Sequence, residues 1–166
     1  NKLDVFHFKS DTLSLVKTFH FPLWNKQRGI PKAYTRLVQY NDSLFIGTSF
    51  MPKEISVELM NLKTEKVVDC ADFPLKPEEE EYSGPYECKI ATGTNFMVAA
   101  YRYINRLEIY RLSAQKFQLK TIIGEANNQY DLYRLDKDNE MIFHYSDIVC
   151  GENQIYALHQ GVKVKE

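Results

Sequence analysis

Apolar and polar positions along this chain alternate in short runs, and the runs repeat. Leu3 to Leu15 reads LDVFHFKSDTLSL, Val57 to Asp69 reads VELMNLKTEKVVD and Leu107 to Leu119 reads LEIYRLSAQKFQL. Without gaps, Leu3, Val57 and Leu107 coincide, then Asp4, Glu58 and Glu108, then Val5, Leu59 and Ile109. Phe8, Leu62 and Leu112 close a first strand, a polar turn follows, and Leu13, Val67 and Phe117 open a second. Alternation with a period of two predicts strands, and the polar interruption predicts a hairpin. The clearest copy is LEIYRLSAQKFQLKTII, Leu107 to Ile123.

A second unit interleaves with the first. RLVQYNDSLFIGTSF (Arg36 to Phe50), KIATGTNFMVAAYRY (Lys89 to Tyr103) and DIVCGENQIYALHQ (Asp147 to Gln160) each read as strand, turn, strand. Asn41-Asp42, Gly93-Thr94-Asn95 and Gly151-Glu152-Asn153 supply the turn residues. One repeat is therefore four short antiparallel strands over about 50 residues. That is the signature of an all-β chain, a β-propeller of four-stranded antiparallel blades. The expected layout over 1–166 is a single partial propeller of about three blade equivalents. It comprises a half-blade at 1–21, blades at 36–73 and 86–123, and a half-blade at 142–160.

Half-blades leave unpaired strand edges, and propellers usually close with roughly four to eight blades. Two expectations follow. Either the chain is about half of a longer protein, or two copies pair, each N-terminal hairpin completing the partner's C-terminal hairpin in a six-bladed ring. The chain starts at Asn1, which reads as a processed product or an excised piece.

Composition narrows the classes. With 166 residues and a net charge of -1, nothing favours nucleic acid or an anionic membrane as partner. No apolar run reaches the length of a transmembrane segment. Cys70, Cys88 and Cys150 hold non-equivalent repeat positions without CxxC spacing and read as buried strand thiols, with one disulfide plus a spare thiol as the alternative. No phosphate loop, dinucleotide fingerprint, zincin helix or nucleophile elbow is present.

The candidate chemistry is sparse. His144 and His159 bracket the last hairpin where blade ends meet a loop face, and with Tyr145 and Asp147 they form a candidate binding site. Arg102 and Arg106, with Arg36 and Arg111, are candidates for a positive patch at a propeller mouth, or else charges paired with acids such as Glu58 and Glu108. His7 and His20 read as surface residues. Trp24 with Tyr34 is an aromatic pair able to stack on a sugar or to pack over a blade. The run Glu78 to Glu81 reads as a solvated loop, and Asp136 to Glu140 resembles an EF-hand start without its glycine or distal Glu. Neither supports a metal site, and no cofactor is expected. Asn41-Asp42-Ser43 is a glycosylation sequon that matters only in a glycosylating compartment.

SLFIGTSF (Ser43 to Phe50), YSGPY (Tyr82 to Tyr86), RLEIYRL (Arg106 to Leu112) and YSDIVCGENQIYALHQG (Tyr145 to Gly161) resemble motifs of the TolB-like six-bladed propeller proteins of Bacteroides and its relatives. His159 and Gln160 stand where that family has an aromatic residue and its neighbour. The likeness spans about residues 36–161. It implies a protein about twice this long, a periplasmic or cell-envelope location, often with a lipid anchor, and a non-enzymatic role in binding a protein, a small molecule or a glycan. A propeller-type lyase or hydrolase acting on a glycan or peptide at the propeller mouth is the alternative.

Overall fold

The computed structural model describes residues 2–20, 24–25, 30–31, 33–51, 54–72, 87–124 and 141–164. Among them there is no helix, and most of these residues are in antiparallel strands. Strands β1 (Lys2–Lys9) and β2 (Thr12–His20) form an N-terminal hairpin. Strands β5 (Ala33–Gln39), β6 (Leu44–Met51), β7 (Glu54–Asn61) and β8 (Lys66–Asp72) form a first four-stranded sheet in chain order. Strands β9 (Cys88–Thr92), β10 (Phe96–Tyr101), β11 (Arg106–Ser113) and β12 (Lys116–Gly124) repeat it as a second sheet. A C-terminal hairpin closes the series with β13 (Met141–Cys150) and β14 (Ile155–Val164).

Two boundaries differ from expectation. The segment read as a connector holds a short pair, β3 (Trp24–Asn25) with β4 (Ile30–Pro31), and β5 starts at Ala33. At the other end β14 runs through the expected polar tail to Val164, which pairs with Met141. Gly161 carries the chain through at φ 58°, a left-handed geometry open to glycine.

The aligned hairpins share fine geometry. A register shift falls between Val5 and Phe6, between Leu59 and Met60, and between Ile109 and Tyr110, the same place in each copy. Ser10 with Asp11, and Ala114 with Gln115, all have φ between 49° and 62°, the double left-handed pair of a type I′ turn. The middle copy is different. Asn61 stands where the others carry His7 and Arg111, and its Oδ1 accepts the Lys63 and Thr64 N–H groups at 2.9 and 3.2 Å. This Asx bond opens a longer loop, so Asn61 pairs with Lys66.

Sheets stack in chain order. Leu44, Ile46, Val57 and Leu59 of the first sheet meet Ile90, Met97, Tyr101, Tyr110 and Leu112 of the second. On its other face the second sheet packs Val98, Ala100 and Leu107 against Tyr145 and Ile148 of the C-terminal hairpin. The N-terminal hairpin sets Leu3, Val5 and Phe19 on Met60 and Leu62 of the first sheet. With neighbours on both sides, every residue of β10 from Met97 to Tyr101 is buried. That explains the unbroken apolar run FMVAAY.

The stacking is aligned edge to edge. Along one edge the Thr92 hydroxyl of β9 donates to the Gln39 carbonyl of β5 at 3.1 Å. Along the other the Phe117 N–H of β12 donates to Asp69 Oδ2 of β8 at 2.6 Å. Strand β13 lies against β9 and β10.

Candidate functional site

Two polar clusters lie within this stack. The first is at one end of the second sheet, where the turn from Arg102 to Asn105 meets the C-terminal hairpin. The His144 N–H donates to the Arg102 carbonyl at 2.8 Å and locks β13 to that turn. Arg102 lies over the Phe143 ring at 4.7 Å and beside the Tyr103 ring at 5.4 Å. Those rings are 5.4 Å apart. The Arg102 guanidinium also donates to both oxygens of Glu87, at 3.3 and 3.4 Å. A cation stacked on rings and anchored by one carboxylate is held in place while keeping further donors.

The histidines join this cluster. His144 is buried, and its ring centroid is 5.7 Å from that of exposed His159. Tyr145 meets His159 edge-on at 4.9 Å, and its hydroxyl donates to Asn105 Oδ1 at 3.4 Å. Burial raises the pKa of the Tyr145 hydroxyl, so at neutral pH it is a donor, not a base.

Four of the six candidate residues, His144, Tyr145, His159 and Arg102, therefore come together. Asp147 turns elsewhere. It pairs with Arg36 of β5 at 3.6 Å and accepts the Ile148 N–H at 2.9 Å. Arg106 points into the interface between the two sheets and pairs with Glu108. Each of Arg36, Arg102 and Arg106 thus has a carboxylate partner, while Arg111 is exposed.

The second cluster was only half visible in the sequence. Glu58 and Glu108, aligned in the repeat, are both buried. Glu108 accepts the Tyr101 and Tyr110 hydroxyls at 2.8 and 2.6 Å. Glu58 accepts the Tyr34 hydroxyl at 2.6 Å and the Ser56 hydroxyl at 3.3 Å. Gly47 lies opposite Glu58 and Ala99 opposite Glu108. A methyl on Gly47 would stand 2.9 Å from Tyr34 and 2.7 Å from Met60, so glycine makes room for the tyrosine that reaches the acid. The readable signal was an acid at the same strand position in every copy, flanked by apolar residues. Burial dominates the upward shifts of the tyrosine pKa values, taking Tyr34 to about 12. Tyr101 is pushed well up by burial and then by the Glu108 charge. These groups are a structural network, fully protonated on the tyrosine side.

The thiols depart from expectation. Only Cys88 is buried, while Cys70 is exposed and Cys150 half-buried. Burial, then the Glu108 charge, holds the Cys88 thiol far above its ordinary range, which makes it a poor nucleophile. His7 and His20 are exposed, as expected. The side chain of Trp24, the run Glu78 to Glu81 and the segment Asp136 to Glu140 lie outside the described residues. Among the described residues no three His, Cys, Asp or Glu side chains converge to hold a metal. No helix among them is long and apolar enough to cross a membrane. Compared with known proteins, the chain matches no family model, and no curated protein matches it significantly.

Proposed function

We propose that this chain is a sector of a TolB-like β-propeller that serves as a non-enzymatic binding scaffold of a bacterial cell envelope. Sheets stacked in chain order, with first strands β5, β9 and β13 side by side, support the propeller reading. So does the Arg36–Asp147 ion pair, which reaches from β5 to β13 across the edge that β9 occupies. First strands that crowd together in this way are those that line a propeller's channel. The envelope location rests on the family resemblance alone, and fractionation of cells expressing the gene tests it.

The observation that carries the binding role is the group of Arg102, Tyr103 and Phe143 at one end of the stack. Ring faces beside a cation suit a glycan or a peptide with a polar or acidic group. Titration calorimetry against a panel of acidic and neutral oligosaccharides and acidic peptides tests it. Binding is expected, and Phe143→Ala or Arg102→Ala should weaken it about tenfold or more. Binding that ignores both substitutions would place the ligand elsewhere.

A lyase or hydrolase acting on a glycan or peptide is the second reading. Its one supporting observation is Tyr145 in contact with His159 within the cluster that holds Arg102. An arginine can neutralise a substrate carboxylate while neighbouring groups move a proton. Incubation with the same panel, followed by assay for unsaturated products and new chain ends, separates the readings. Turnover lost in His159→Ala would favour the enzyme.

A further inference from the structure

The two hairpins at the extremes of the stack each expose one apolar face. On the N-terminal hairpin Phe6, Phe8, Leu13 and Leu15 lie on one side and are 51–67% exposed. On the C-terminal hairpin Val149, Tyr156 and Leu158 are 57–62% exposed. Among the described residues β1 pairs only with β2, and β14 only with β13, so each hairpin also offers a strand edge. An apolar face beside an open edge is a site for strand addition.

The internal repeat says what fits there. Strand β14 is the counterpart of β10. The Gly93 and Gly151 N–H groups close equivalent turns onto the Phe96 and Gln154 carbonyls, at 3.0 and 2.8 Å. The pair Ala91↔Val98 has its counterpart in Val149↔Tyr156. Strand β1 is the counterpart of β7 and β11, with which it shares the aligned sequence and the register shift. In both complete sheets the counterparts of β14 and β1 are neighbours, β6 beside β7 and β10 beside β11.

We infer that β14 of one copy of this chain pairs antiparallel with β1 of a second copy, and reciprocally, so that two chains complete both open sheets. The pairing rests on the propeller reading above. Transferring the β10–β11 register gives Ile155 opposite Phe6, Tyr156 opposite Val5, Ala157 opposite Asp4 and Leu158 opposite Leu3. This register places a small residue opposite the acid for a third time, after Gly47 with Glu58 and Ala99 with Glu108.

The charges agree as well. His159 takes the position of Tyr101, which donates to Glu108, and Lys2 takes that of Arg106, which pairs with it. Asp4 would therefore lie between His159 of one chain and its own Lys2, while the Thr18 hydroxyl keeps its 2.6 Å bond to Asp4 from the β2 side. Both apolar faces are completed. Phe6 and Phe8 would continue the face on which Ile155 and Ala157 already pack toward the second sheet. Ile123 on that sheet, 48% exposed, would gain cover. Tyr156 and Leu158 would join Leu3 and Val5 on the face turned toward the first sheet of the other chain.

The test is a mixed cross-link in a chain carrying Cys70→Ser and Cys150→Ser. One sample carries Val5→Cys and the other Tyr156→Cys. They are mixed, oxidised and run without reductant, and the mass of the uncross-linked wild-type chain is measured by light scattering. Expected are a disulfide-linked pair only in the mixture and a particle of twice the 19.5 kDa of one chain. Asp4→Cys with Ala157→Cys is the second pair, and circular dichroism checks that each variant folds. Tyr156→Cys mixed with Thr18→Cys, on the far strand, should not link. A folded chain that stays at 19.5 kDa at the highest soluble concentration would overturn the pairing. So would a double-mass particle that links in neither pair, or assemblies larger than two chains. Neither readout involves a ligand. A failed titration in the binding experiment leaves the pairing standing, and a failed cross-link leaves the binding site standing.

Discussion

The hairpins β1–β2 and β11–β12 share a sequence pattern, a turn type and a register shift, yet their environments are opposite. In β11, Leu107, Glu108, Tyr110 and Leu112 are buried. In β1, the aligned Asp4, Phe6 and Phe8 are exposed. The pattern therefore fixes which way each side chain points. Whether that side is buried is decided by the sheet that covers it. An acid shows this most sharply: Asp4 meets the Thr18 hydroxyl in water, whereas Glu108 gathers two tyrosines and an arginine away from it.

Removing the acid at both positions gives the largest contrast. Glu108→Ala removes the buried carboxylate that pairs with Arg106, 12% exposed, and accepts the Tyr101 and Tyr110 hydroxyls. A loss of about 3–5 kcal/mol is expected. Asp4→Ala, in dilute solution where the chain is alone, should cost no more than about 1 kcal/mol. Urea midpoints at constant slope measure both. Equal losses would mean that Asp4 is already enclosed, and the contrast between the hairpins would fail.

The residue opposite the acid gives a smaller and graded effect. Gly47→Ala drives a methyl against Met60, Leu37 and Tyr34 at 2.7–2.9 Å and should cost about 1–3 kcal/mol. The same methyl is already present at Ala99, where the donors reach Glu108 from β10 and β11 rather than across the opposing residue. Ala99→Gly should therefore lose only about 0.5–1 kcal/mol, through backbone freedom. If Gly47→Ala proved as mild, Tyr34 would not need that space to reach Glu58.

Much of this was legible from the sequence, for physical reasons. Strand alternation and turn residues act locally, so the four-stranded antiparallel units could be read at 36–73 and 86–123. The repeat of Asp4, Glu58 and Glu108 was equally plain, but its meaning was not. A carboxylate on a strand usually faces water, and only the stacking of sheets shows that Glu58 and Glu108 do not. The gathering of His144, His159, Tyr145 and Arg102 depends on β13 lying against the Arg102–Asn105 turn, a contact across some 40 residues of chain. Arg106 was read with the other arginines and Asp147 with the histidines, because spacing along the chain does not show which neighbour a strand side chain meets. The strand face on which each lies sends them to Glu108 and Arg36 instead.

The finest test of the contrast between covered and uncovered regions is alkaline pH. Tyr34, Tyr101 and Tyr110 lie in the covered stack, and the N-terminal hairpin has no tyrosine. All three have pKa values raised above the ordinary 10, chiefly by burial. Below pH 10 both folded and unfolded chains keep these protons, so stability does not depend on them. Above it the unfolded chain releases them first, while folded Tyr34 holds its proton to about 12. The unfolded state then binds fewer protons, and stability falls as pH rises. Urea midpoints should therefore decline steadily above pH 10. Tyr34→Phe should start lower, having lost the bond to Glu58, but decline less steeply because one titrating group is gone. A profile flat to pH 12, or an unchanged slope in Tyr34→Phe, would mean that water reaches this hydroxyl in the folded chain, and that the sheet edges are as open at the centre of the stack as at its ends.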